Sequence, residues 1–331
     1  MTGPVTLTAY FAERERVGGR FLAEQILDLF DRQNVATSVM LRGIASFGPT
    51  NVIRGDRSLS LSEDPPVTIA AVDTAERITT VAAGVATMIG RGVLTLEQSA
   101  PVGDGDVRLT VYLGRRHEPG FVDVCEVLHS LGFLSAQVHL GVDGTVSGRR
   151  ERARFFSRNV DVPLVVTGVG TAAQATAATA EIGALRADAL ITVDPIRVCK
   201  NGGRTVGGLG QAVTAYRRLT VHTAEDDQVG GRPVHRALIR HLKESTHASG
   251  ATAVRGIWGF RGGQPPHGDR FFQLTRRVPV STVMIDTSDS IAATYSIVDE
   301  VTAGAGLVTV EDLPAVWSVH GVHSRGSLDL G

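Results

Sequence analysis

The apolar positions of this chain fall into short β-rich runs separated by stretches of helical period, and the whole order of runs occurs three times. The cycles open with Leu7-Thr8-Ala9-Tyr10, Leu109-Thr110-Val111-Tyr112 and Leu219-Thr220-Val221-His222. They recur at intervals of roughly a hundred residues, far longer than solenoid units, so each cycle reads as a small domain. After the opening strand, Phe21, Ile26, Leu29 and Phe30 fall on one face of a helix, as do Val234, Leu238 and Leu242, with Gly250 as a helix stop. A second strand and a long loop follow. A third strand opens after a proline (67–72, 164–169, 280–285), where the missing N–H matters least. Asp73-Thr74, Gly170-Thr171 and Asp286-Thr287 cap a second helix, and a fourth strand closes each unit (93–97, 189–194, 307–311).

The order β-α-β-β-α-β predicts an α+β class of ferredoxin-like units, each an antiparallel sheet with both helices on one face. The other face must be covered. Three copies in one polypeptide can cover one another, which predicts a pseudo-trimer. A monomer is expected, with a higher oligomer as the alternative. The expected boundaries are 1–98, a diverged second repeat at 107–198, 215–317, and a flexible tail at 318–331. Residues 99–106 and 200–210 read as Gly-rich linkers.

A net charge of −1 argues against a nucleic-acid binder. Cys125 and Cys199 have no metal or redox spacing, and a reducing compartment fits them. No signal pattern or membrane span is read, so a cytoplasmic protein is expected. No catalytic residue, metal site or resident cofactor is assigned. His235, His241 and His247 do not share a helix face.

The loop after strand two carries the chemistry. It begins Arg42-Gly43-Ile44-Ala45-Ser46-Phe47, passes Arg57 and ends at Glu63-Asp64-Pro65. The third repeat has Arg255-Gly256-Ile257-Trp258-Gly259-Phe260 and then Arg270. Arg42 and Arg255 are candidate anion ligands, or partners of Glu63 or Asp64. Gly18-Gly19-Arg20 and Gly230-Gly231-Arg232 read either as phosphate-approaching backbone beside a helix N-terminus or as turns needing positive φ. The second repeat instead carries Arg149, Arg150, Arg152, Arg154 and Arg158, a basic patch read as solvated or as a grip for an acidic partner.

The Glu13-x-x-Arg16-Val17-Gly18-Gly19-Arg20 turn, the Ser38-Val39-x-x-Arg42-Gly43 strand end and Leu61-Ser62-Glu63-Asp64-x-Pro66 together resemble the domain-of-unknown-function 190 family, which is PII-like. The resemblance is close over 5–97 and clear over 217–313, whereas repeat two has Glu118-Pro119-Gly120 in place of the Val-Gly-Gly-Arg turn. It implies trimerising ferredoxin-like domains that bind AMP, ADP, ATP or another small effector between subunits, and a loop that contacts a target such as a transporter or ion exporter. By position, Arg42-Gly43, Arg255-Gly256, Gly90-Arg91-Gly92 and Gly304-Ala305-Gly306 resemble the segments lining that cleft. No lysine follows the glycine-rich turns, and no C-terminal Arg-x-Arg pair is present.

The expectation is therefore a non-enzymatic sensor with unequal clefts. Phe47, Arg57, Arg152, Arg154, Phe260 and Arg270 are the expected partner-facing loop residues. The alternatives are an enzyme acting on a small phosphorylated substrate at the same clefts, or a structural scaffold.

Overall fold

The computed structural model describes residues 3–48, 53–55, 64–99, 103–114, 120–153, 162–268 and 277–330. Arg57, Arg154 and Arg270 lie outside the described residues, as does much of the repeat-one loop. Strands one to four of repeat one are Val5–Ala12, Thr37–Phe47, Pro66–Asp73 and Arg91–Gln98, with helices α1 (Leu22–Arg32) and α2 (Ala75–Met88). Those of repeat two are Asp106–Gly114, Ser135–Leu140, Pro163–Thr171 and Leu190–Asn201, with α3 (Phe121–Ser130) and α4 (Ala172–Leu185). Those of repeat three are Tyr216–Ala224, Ala251–Arg255, Pro279–Thr287 and Leu307–Leu313, with α5 (Val234–Ser245) and α6 (Ser288–Val301). In each repeat strand one lies between strands three and four, and strand three also pairs with strand two, all antiparallel.

Alternation along strand one decides the layers. Val5, Leu7, Ala9 and Phe11 join Ile26, Phe30, Ile78 and Val85 of both helices in one core. Repeats two and three have equivalent cores around Leu109, Leu128 and Ile182, and around Leu219, Leu238 and Val298. The opposite faces carry Thr8, Thr110 and Thr220, Thr95, Thr192 and Thr309, all buried.

The repeats join through the start of the long loops. Phe47 to Gly43 of repeat one pair with strand two of repeat three, Ala251 to Val254. Trp258–Arg261 of repeat three pairs with strand two of repeat two, and Asp143–Val146 of repeat two pairs with strand two of repeat one. The three pairings close a cycle within the chain.

This corrects the reading of Phe47 and Phe260 as partner-facing. Phe47 is 5% exposed in the repeat-three core, and Phe260 is 3% exposed in the repeat-two core beside His129. Their apolar surface is worth more inside the neighbouring repeat, about 2–3 kcal/mol each, than on a loop in water.

Two segments expected to be flexible are ordered by pairing. Residues 315–320 and 323–327 form a hairpin whose first strand pairs with strand four of repeat one, from Ala315↔Leu96 to His320↔Arg91. Strand four of repeat two runs on into the expected linker. There Arg197–Asn201 pairs with strand four of repeat three, and a turn at Gly202-Gly203 leads to Arg204–Thr205. Lys200, 2% exposed, anchors this segment by a 2.7 Å ion pair with Asp299.

Two arginines of the basic loop of repeat two, Arg150 and Arg152, form ion pairs within the chain. Arg150 binds Asp28 at 2.5 Å and Asp143 at 2.7 Å, and Arg152 binds Glu24 at 3.1 Å. Glu24, Asp28 and Asp31 form an acidic stripe on α1, and the Asp31 carboxylate accepts from the Arg150 N–H. Arg152 pairs with Glu24 while its side chain stays 58% exposed, so one face remains open to water. Asp73 and Asp286 are not the cap residues themselves. Their carboxylates accept from the N–H groups of Ala36 and Ser249, tying the entry of strand two to the end of strand three.

Candidate functional site at the repeat corners

The segment after strand one gathers the predicted arginines in two repeats. In repeat one, Arg42 Nε donates to Glu13 at 2.6 Å, and Arg91 lies 3.6 Å from Glu15. Backbone bonds hold this segment: Glu13 N–H to Pro65 O, Leu22 N–H to Glu15 O, and Arg14 N–H to Asp64. The partner of Arg42 that the structure describes is therefore Glu13, and Glu63 lies outside the described residues. In repeat three the equivalent Arg255 donates to Glu225 at 2.6 Å, while Arg261 and Arg277 bind Asp227 and Asp226. The Arg42 side chain is 59% exposed and Glu13 22%, so this pair faces water and can exchange its carboxylate for another anion.

Glycine follows each of these arginines because there is no room for a side chain. A Cβ on Gly43 would sit 2.4 Å from Pro66 Cγ and 2.9 Å from Ala253 O of repeat three. On Gly256 it would sit 2.9 Å from Pro279 Cγ and 2.9 Å from Val138 O of repeat two. Gly141 meets Pro163 and Val39 of repeat one in the same way. The Arg-Gly steps thus lie at the seams between repeats. In repeat two the arginine is replaced by Leu140, directly across from Leu164, the position that Arg42 holds across from Val67.

The Gly-Gly-Arg turns are tight hairpins. Gly18 and Gly19 have φ of +56° and +82°, and Gly230 and Gly231 of +55° and +74°. Positive φ at both central positions is what a type I′ turn requires, so conformation alone accounts for these glycines. Arg20 pairs with Asp28 at 2.6 Å; Arg232 is exposed. A third copy, Gly202-Gly203-Arg204, escaped the sequence reading although the tripeptide is the same; its φ values are +57° and +79°. It sits against the turn before strand four of repeat three, where a Cβ on Gly203 would meet Ala303 O at 2.4 Å. In repeat one the tail hairpin does the same, and Gly321 N–H donates to Gly90 O. The turns at Gly90-Arg91-Gly92 and at Gly304 and Gly306 are therefore each flanked by a hairpin from the preceding repeat.

A second cluster, missed in the sequence, lies where the inner faces meet. Strands one and four present Thr6↔Glu97, Arg108↔Asp194 and Arg218↔Glu311 as cross-strand pairs. Arg108 reaches Glu97, Asp194 and Glu311 at 3.0, 3.0 and 2.6 Å, and Arg218 binds both Glu97 and Glu311. Burial disfavours the charged form of Glu97, but Arg218 and Arg108 outweigh it and hold the carboxyl down at about 2. Burial dominates at Glu311, whose pKa is raised despite the same arginines. At the seam of repeats two and three, Gln137 lies 3.0 Å from His222 Nδ1 and accepts from Ser281 at 2.5 Å. Burial pushes His139 down to about 4. Burial, with His139 and Arg108 nearby, pushes His222 to about 3.

At the two described corners the arginines are each paired with a carboxylate of the segment after strand one. No group of three or more His, Cys, Asp or Glu able to hold a metal occurs among the described residues. No helix among them is long and apolar enough to cross a membrane.

The family DUF190, described as "Uncharacterized ACR", matches three times, over residues 4–100, 106–198 and 216–315. A UPF0166 protein of Aquifex aeolicus is 28% identical over 106 residues, covering 32% of this chain and 97% of its own. An aspartate kinase structure from Synechocystis aligns at 11% identity and a TM-score of 0.28, with 96% of this chain and 46% of that one covered. A protein of unknown function from Galdieria sulphuraria aligns at 12% identity and a TM-score of 0.19, covering 59% and 98%.

Proposed function

The chain belongs to the DUF190 family, as a tandem of three PII-like repeats, and from this membership we propose that it is a cytoplasmic regulatory protein of the PII type. Its three ferredoxin-like units form a pseudo-trimer, and a small anionic effector, an adenine nucleotide foremost, binds at the corners of repeats one and three. The observation that carries this reading is the water-facing Arg42–Glu13 pair beside a Gly43 lodged at an inter-repeat seam, with a part-buried counterpart at Arg255–Glu225 and Gly256. An entering phosphate takes over Arg42 or Arg255 and frees the carboxylate. Because the Arg-Gly step is also the base of the long loop, the exchange changes what the loop offers to a partner. We assign that contact to the loop residues Arg57 and Arg270 from the sequence, and a membrane transporter or ion exporter is the class of partner the family resemblance implies. Repeat two, with Leu140 for the arginine, contributes no equivalent site.

A thermal-shift series with AMP, ADP and ATP tests the reading. Stabilisation of the native chain that is lost in the Arg42→Ala, Arg255→Ala double variant supports it. Equal stabilisation of both proteins contradicts it.

A further inference from the structure

The last strand of each repeat has two edges, and strand one covers one of them in all three. In repeats one and three an antiparallel strand from the preceding repeat covers the other: Ala315–His320 on strand four of repeat one, and Arg197–Asn201 on that of repeat three. Under these covers Leu94, Leu96, Val308 and Val310 are 0–3% exposed. Trp317 and Cys199, carried by the covering strands, pack into the respective cores. In repeat two, residues 190–194 pair with strand one alone, and no described residue pairs with the outer edge. The reason is connectivity. The chain leaving repeat one has only the short stretch from Ser99 to Gly105 before strand one of repeat two begins, too short for a covering strand. The counterparts of Leu94 and Leu96 there, Ile191 and Val193, are only half-buried, and Leu185 at the end of α4 is 42% exposed.

This side of the sheet looks outward. Beyond the covering strand of repeat one lies the second strand of the tail hairpin, His323–Ser327, which is exposed throughout. An open, apolar edge strand is a template for another strand. We propose that the edge at 190–194 is the interface between two copies of this chain, paired antiparallel about a two-fold axis through Thr192. The register is self-complementary: Ile191 faces Val193 of the second copy and the reverse, both on the helix side. Pro195, which lacks an N–H, ends the pairing. The two α4 helices flank the joined sheet, and Glu181 is the only charged residue in Ala172–Leu185, so little opposes their approach. Isologous pairing of this kind closes at two copies.

Light scattering of the full chain tests this, with hydrogen exchange on the same sample. The expected mass is twice 35.0 kDa, and those amides of 190–194 that point away from strand one should lose protection on dilution. Ile191→Lys, Val193→Lys should halve the mass while circular dichroism stays unchanged. A wild-type chain at its own mass across the concentration series would overturn the proposal. So would a dimer that survives the double lysine variant. If that variant misfolds, the dilution-dependent protection of the wild type decides alone.

Discussion

Arg108 and Asp194 face each other across strands one and four of repeat two, with Nη2 3.0 Å from Oδ2. Arg218 and Glu311 repeat the relationship, but opposite Glu97 stands Thr6. Three carboxylates therefore share two guanidinium groups in a buried node. The two glutamates respond to pH with opposite signs. Glu97 is held below the ordinary carboxylate range, so its contribution to stability is present above that range and lost as pH falls toward 2. Glu311 is raised, so its contribution is full at low pH and lost as pH rises through its folded value. Urea unfolding at pH 8 should show Glu97→Gln destabilised by about 3–5 kcal/mol. Glu311→Gln should be neutral or stabilising there. Equal losses in both variants would contradict this assignment.

The buried histidines make a second pH prediction. His139 and His222, at about 4 and about 3, stay neutral in the fold while the unfolded chain takes up protons below about 6.5. Stability from both groups is full above that value and falls as pH drops toward their folded values. His139 corresponds to Leu41 of repeat one by its position across from strand three. His139→Leu should therefore flatten the decline of Tm between pH 6.5 and 4. An unchanged slope would show that His139 is not a cause of it.

Gly43 and Gly90 should part company on substitution. Gly43→Ala pushes a methyl into Pro66 and Ala253 O and should cost about 1–3 kcal/mol. Gly90→Ala meets nothing within 4 Å and should stay within about 0.5 kcal/mol. Chemical denaturation measures both. A tolerated alanine at 43 would mean that the seam is looser than its geometry.

Arg150 should matter where Arg149 does not. Arg150→Ala removes charge-assisted bonds to Asp28 and Asp143 and should cost about 2–4 kcal/mol. Arg149 is exposed, and its alanine variant should lie within about 0.5 kcal/mol. Equal effects would return the loop of repeat two to the solvent.

The repeat and its element order were legible because strand and helix periods are local properties. Phe47 and Phe260 were misread because nothing local distinguishes a loop from a strand that continues into a neighbour's core. The same limit hid the Arg108–Arg218 node. Each charged residue sits in an unremarkable strand, and only the meeting of the inner faces makes three cross-strand pairs into one cluster. The tail was misread because a polar strand such as His323–Ser327 is ordered by its backbone partners, not by its side chains. The Arg-Gly steps were legible, but their carboxylate partners on the segment after strand one were not, since long-range ion pairs leave no spacing to read.

Arg42 and Arg255 are proposed to hold an anionic effector at two of the three corners. Titration calorimetry of the full chain with ADP and ATP tests it most directly. The account predicts at most two sites per chain, with Arg42→Ala and Arg255→Ala each removing one. Three equal sites, or no binding of any adenine nucleotide, would contradict it.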